Sequence, residues 1–188
     1  MSTTATQIVT LPVPGTYAVD KAHTEVGFVA RHLVGTKVRG RFAQFDATLV
    51  IADPPEHSTL EAQVEAVSID TGNEMRDDHL RTNDFLDVPN HPEITLRSTG
   101  LRQVSDTEWK LDTDLSIRGV TKPVTFDLQY HGSGPGMQEG STVVAFSASA
   151  DIDRRDFGVS FNHSLLDGSV VVGNKVKIEL EVEAALQS

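Results

Sequence analysis

The sequence predicts an all-β protein: one extended antiparallel β-barrel, lipocalin-like and of about eight strands, with a short helical insertion near residues 73–88. Three observations carry that expectation. Segments in which apolar and polar residues alternate recur along the chain, the pattern of strands with one buried face. Such strands must pair their apolar faces, in a sandwich or a closed barrel, and closure also removes unpaired edges. The alternation is broken in one place, between Thr71 and Ser98.

Residues 1–14 read as a flexible lead-in and residues 15–188 as the barrel domain. After the Pro14-Gly15 turn, Tyr17 to Asp20 is a short strand. His23 to His32 alternates, with Thr24, Val26, Phe28, Ala30 and His32 on one face. Thr36 to Ile51 holds a strand or a pair of strands, and Gly40 within it marks a bulge or a close backbone approach. Leu60, Ala62, Val64 and Ala66 form the inner face of the next strand. Ile94 to Val104 and Glu108 to Arg118 form a hairpin around Ser105-Asp106. Trp109, Leu111, Thr113, Leu115 and Ile117 share one face of its second arm. Gly119 and Pro123 bracket a break, after which Val124, Phe126, Leu128 and Tyr130 point inward. Residues 132–140 are a loop by composition. Val143 to Ile152 alternates with Phe146 inside. Residues 158–173 carry no strand assignment, only a tight turn at Asp167-Gly168. Lys175 to Leu186 closes the chain, with Val176, Ile178, Leu180 and Val182 on its inner face.

The insertion has its own logic. Asn73 to Leu80 reads as a short charged helix. Thr82 or Asn83 can cap a second turn through Phe85 and Leu86. Val88-Pro89 and His91-Pro92 then stop the helix. Leu80, Phe85 and Leu86 cannot be buried by so short a segment alone, so it must lie on the mouth or flank of the barrel.

Composition narrows the function. With 188 residues the chain can bury a substantial core as one domain. It has no cysteine, which removes disulfides, thiolate nucleophiles and cysteine-ligated metals. A net charge of −11 repels nucleic acid. The apolar runs are too short to span a bilayer. Met1 to Gly15 lacks a basic n-region and an apolar h-region, so cytoplasmic residence is expected.

No catalytic fingerprint appears. The seven histidines show no H-E-x-x-H spacing, and there is no G-x-S-x-G elbow, P-loop or dinucleotide motif. His32 shares a face with Val26 and Phe28, so it is placed to end an apolar cavity with a polar group. Phe28, Phe42, Phe45, Phe85, Phe126 and Phe146, together with Leu80, Leu86 and Phe157, either fill a core or line a cavity; the two look alike in sequence. Arg31, Arg39 and Arg41, with Lys37, form a basic cluster that is either a solvated face or a cationic rim for an anionic head group. Arg154 and Arg155 precede Asp156 and read as an Arg–Asp pair bracing a turn. No metal site and no cofactor is expected.

Several motifs in order resemble the YceI-like family. They are Tyr17-Ala18-Val19-Asp20, His23 to Phe28 with Arg31-His32, Gly40-Arg41-Phe42 with Phe45, and Ser68-Ile69-Asp70-Thr71. Then come Arg76 to Ile94 (RDDHLRTNDFLDVPNHPEI), Ile117 to Val124 (IRGVTKPV) and Arg154 to Gly158 (RRDFG). The likeness runs from about Tyr17 to Val182. Tyr17 stands where the family usually has Trp, and Thr24 where it usually has Ser. The resemblance implies a barrel that holds a polyisoprenoid or other long amphiphilic lipid, with no catalysis. The expected function is therefore lipid binding for carriage, storage or sequestration, the ligand being a polyisoprenoid, an isoprenoid quinone precursor or a fatty-acid-like chain. The alternative is a barrel enzyme acting on a hydrophobic substrate. Expected partners are that lipid, a membrane met transiently and a second copy of the chain, with no nucleic acid.

Overall fold

Eight staves close the barrel, and three of them are broken. The computed structural model describes residues 10–33, 35–166 and 170–187. The first stave is β1 (Gly15–Val19) followed by β2 (Glu25–His32), the second β3 (Thr36–Phe42) followed by β4 (Phe45–Ile51), and the third β5 (Thr59–Glu65) followed by β6 (Ile69–Asp70). Five unbroken strands complete the ring: β7 (Glu93–Gln103), β8 (Glu108–Ile117), β9 (Val120–Pro135), β10 (Thr142–Asp153) and β11 (Val172–Leu186). Every pairing is antiparallel, and β11 closes the circle by pairing with β1 through Ala184 to Leu186 and with β2 through Val172 to Glu181. The predicted fold class therefore holds.

The breaks follow local chemistry. At the first, Asp20 caps the turn by accepting from the Ala22 amide at 2.8 Å, and Thr24 Oγ1 donates to the Glu183 carbonyl. At the second, Gln44 and Ala43 bond to Ser68 instead of to a neighbouring ladder. Gly40 is a close approach and not a bulge: the β2–β3 register is unbroken, and the Phe28 ring lies against the Gly40 backbone where a Cβ would sit.

The third break opens a seam. The β5–β7 ladder ends at Glu65–Glu93, so β6 has no strand on its outer side. The insertion fills this gap. Its helix α1 (Glu74–Arg81) is capped by Asn73, whose side chain accepts from the Arg76 amide. From its last turn Arg81 donates to the carbonyls of Val67 and Ile69, both at 2.9 Å, so a side chain satisfies the edge that a strand would have covered. The expected second helical turn is a run of hydrogen-bonded turns, with the Phe85 amide bonded to the Thr82 carbonyl.

Three sequence expectations are corrected. There is no break at Gly119 and Pro123. Arg118 and Gly119 have φ of 50° and 73°, the left-handed pair of a two-residue hairpin turn. Pro123 lies within β9, where β8 is the only neighbouring strand, because the β10 ladder begins at Asp127. Residues 132–135 are strand and not loop, since the β9–β10 ladder continues to Pro135–Thr142. The lead-in is anchored where it is described: Tyr130 and Tyr17 donate to the Thr10 and Val13 carbonyls at 2.8 and 2.7 Å. Residues 1–9, like Asp167-Gly168, lie outside the described residues. Residues 158–173 hold the left-handed Gly158 after a 3-10 turn (Arg154–Phe157), an isolated Ser164–Val170 bridge and the start of β11.

Candidate functional site

The inner faces of the staves do not meet. They enclose a cavity of about 340 Å³, within the usual range for small-molecule sites. The pleat decides its wall. On β8, Trp109, Leu111, Leu115 and Ile117 face it, and on β11, Val176, Ile178, Leu180 and Val182 do. From Trp109 to Ile117 is eight residue steps, roughly 27 Å along the strand and about 20 Å along the axis at usual barrel tilts.

The two ends differ. At one, Leu11 and Pro12 of the N-terminal strap join Trp109 and Tyr130 in the lining. A packed cluster of Tyr17, Ile51, Val144 and Ala184 supports that end. At the other, the insertion supplies Leu80, Phe85 and Leu86, and the 3-10 turn supplies Phe157 and Arg154. Phe85 packs edge-on against His79 and Phe161, with ring centroids 5.0 and 5.3 Å away. Arg118 ties this end together by donating to the carbonyls of Phe85 and Gly158 at 3.1 and 2.9 Å.

The family model for the YceI-like domain matches residues 17–184. The chain belongs to the YceI-like family. A UPF0312 protein of Staphylococcus aureus (strain N315) is 35% identical over 172 residues, which cover 90% of this chain and 97% of the relative. The Campylobacter jejuni YCEI protein superposes with a TM-score of 0.71 at 28% identity, covering 90% of this chain and 96% of that one. Two further structures share the fold. Burkholderia cenocepacia BcnA has a TM-score of 0.74 at 19% identity, covering 88% and 98% of the two chains. A domain from Saccharophagus degradans, described as polyisoprenoid binding, has a TM-score of 0.65 at 13% identity, covering 91% and 98%.

In this YceI-like domain, Phe28, Phe42, Phe45, Leu80, Phe85, Leu86, Phe126, Phe146 and Phe157 all border the cavity. His32 does not. It is exposed at the end of β2, opposite Val172 and Thr36 and beside the register shift between Val172 and Val176 of β11. The basic cluster is also outside. Arg31, Arg39 and Arg41 alternate with the inward Ala30, Gly40 and Phe42, so the pleat turns them to solvent. Arg39 pairs with Glu179 at 3.0 Å, Arg41 with Asp70 at 3.4 Å, and Arg31 donates to the Gly35 carbonyl. No cationic rim of the lumen is built from them.

The sequence places Arg154 and Arg155 in an Arg–Asp pair that braces a turn, and the Arg154 side chain is buried. The pair exists, but its partners are Arg155 and Asp153. Hydrogen bonds from the Arg155 side chain and amide hold the Asp153 carboxyl down at about 2. Asp77, Thr113 and Arg154 are the buried polar side chains among the described residues, and of these only Arg154 lines the cavity. Its guanidinium is cradled by carbonyls: Nε donates to Gly173 at 3.0 Å, one terminal nitrogen to Val159 at 2.6 Å and Phe161 at 2.9 Å, the other to Val172 at 3.4 Å. Burial pushes its pKa down from the ordinary value.

Among the described residues one set of metal-type ligands converges, Asp20, His23 and Glu183, with ligand atoms within 4.8 Å of one another. It sits on the outer surface at the first stave break. His23 Nδ1 is 2.9 Å from Asp20, and that hydrogen bond chiefly raises the imidazole pKa. No helix among the described residues is long and apolar enough to cross a membrane.

Proposed function

We propose that this YceI-like domain binds a long-chain amphiphilic lipid within the barrel, a polyisoprenoid or a chain of similar reach, for carriage, storage or sequestration without chemical change. The observation that carries this reading is the long apolar lumen, walled by alternate residues of the staves and carrying one buried charge at one end. Such a wall solvates a hydrocarbon chain. Each buried methylene contributes roughly 0.8 kcal/mol, so ten contribute about 8 kcal/mol before the cost of association. The polyisoprenoid binding attributed to the Saccharophagus degradans domain supports the same reading through the shared fold.

Native mass spectrometry of protein purified from its own host, with lipid extraction, tests it together with a filled-lumen variant. Ala148 borders the cavity midway along β10, between Leu128 and Leu180. Ala148→Trp places an indole in the open space. The parent is expected to carry a lipid adduct or to take one up on titration, and the variant to fold with a similar Tm and bind none. A parent that binds no long-chain lipid, or a variant that binds as well as the parent, overturns the reading.

A further inference from the structure

Among the described residues no carboxylate is hydrogen-bonded to the buried cation at the insertion end of the lumen. Among the described residues Arg154 makes no ion pair, and the neighbouring Asp153 is engaged by Arg155. Carbonyl dipoles solvate the guanidinium without neutralising it, and a buried charge left in that state is costly. Arg154 is also one of the residues that line the apolar cavity. A guanidinium has five N–H donors. Among the described residues, the four bonds to Gly173, Val159, Phe161 and Val172 leave one N–H without a partner, on the terminal nitrogen whose one bond is the long one of 3.4 Å. The rest of this end is apolar: Phe157, Val159, Val172 and Ile152 surround it.

We propose that Arg154 is the head-group contact of the lumen, and that the domain selects amphiphiles with an anionic terminus, a carboxylate or a phosphate monoester, over neutral ones with the same tail. The proposal rests on the lipid-binding reading above. An anionic oxygen arriving with the tail supplies the missing counter-charge and accepts the free N–H, and charge-assisted bonds of this kind are the strong ones. It also sets the ligand's direction, with the head at the insertion and the tail running toward Trp109 and the strap.

The protein carries its own reporter, because its single tryptophan, Trp109, borders the cavity. Trp109 fluorescence is titrated at pH 8 with hexadecanoic acid, hexadecyl phosphate and hexadecanol, each below its aggregation limit. The two anions are expected to bind at least tenfold more tightly than the alcohol. In Arg154→Met the three affinities converge to within about twofold, chiefly through losses for the anions, and Arg154→Lys restores part of the preference. A second measurement needs only the parent: the preference for hexadecanoic acid over hexadecanol disappears as the carboxyl is protonated in acid. If the parent binds all three equally, the proposal fails and lipid binding stands. If it binds none, the lipid-binding reading fails and takes this proposal with it. A preference that survives intact in a folded Arg154→Met protein also overturns it.

Discussion

Phe85 links the insertion, the cavity and the stability of the fold, so its truncation is the most informative single change. It is 6% exposed. One side of the ring packs against His79 and Phe161, and another borders the lumen. Removing a buried Phe costs on the order of 3–5 kcal/mol. Because part of the ring already faces open space, Phe85→Ala falls at the low end, about 3 kcal/mol. For a domain of this size each kcal/mol moves Tm by about 2–4 °C, so Tm drops by about 6–12 °C. A ligand at one hundred times its Kd adds about 2.7 kcal/mol to the parent. If the ring contacts that ligand and its loss weakens binding tenfold, the added stability shrinks by about 1.4 kcal/mol. Thermal melts of parent and variant, with and without hexadecanoic acid, give both numbers. A fall in Tm below about 2 °C would refute the claim that this ring anchors the insertion. Equal ligand-induced rises in the two proteins would remove Phe85 from the binding wall.

Three further outcomes are expected. Gly40→Ala puts a Cβ into the Phe28 ring and 2.9 Å from Thr71 Cγ2, so denaturant melts should show a loss of about 1–3 kcal/mol; a neutral change would mean that Phe28 moves aside freely. Asp153→Asn keeps a capping oxygen for the Arg155 amide but loses the charge that holds the carboxyl down at about 2. A depressed folded pKa stabilises above the unfolded value, about 4, and that contribution is lost as pH falls through the folded value. The Tm deficit of the variant should therefore be present at pH 7 and vanish near pH 2, and a deficit constant across that window sinks the assignment. Replacing Arg39 and Arg41 together with Gln should leave the affinities for hexadecanoic acid and hexadecanol unchanged, since both arginines face solvent; a selective loss for the acid would return them to the site.

The sequence reveals the strands more readily than their partners. Alternation alone assigns the inward faces of β8, β9 and β11, because a pleat leaves no choice once one face is apolar. It does not show that β1 and β2 are one stave, since that depends on a pairing with Glu183 and its neighbours some 160 positions away. Pro123 and the glycines of residues 132–135 suggest a break and a loop, yet both stretches of β9 are paired on one side only, and a one-sided ladder tolerates proline and glycine. In the site, the phenylalanines are legible as apolar wall. Arg39 and Arg41 could have been placed outside by the same alternation, because Phe42 and Arg41 cannot both face the lumen. Arg154 was beyond reach. Arginine is read as surface by default, and only the carbonyls of residues 159–161 and 172–173 make its burial tolerable.

The seam beside β6 makes part of the cavity wall exchangeable. Along the staves the lining is tied to register, so adding one residue to a strand would turn its inner face outward. The insertion obeys no such rule. Its far end is tied back ahead of β6, where the Ala66 amide bonds to the Pro92 carbonyl at 2.8 Å, and Leu80 of the helix with Phe85 and Leu86 of the turns border the lumen. No residue of 71–92 belongs to a strand ladder, so a change of length or sequence between the helix and Pro89 alters that end of the chamber without shifting any strand register. The length of the chamber is thus set at one end by a single cassette and along the rest by the sheet.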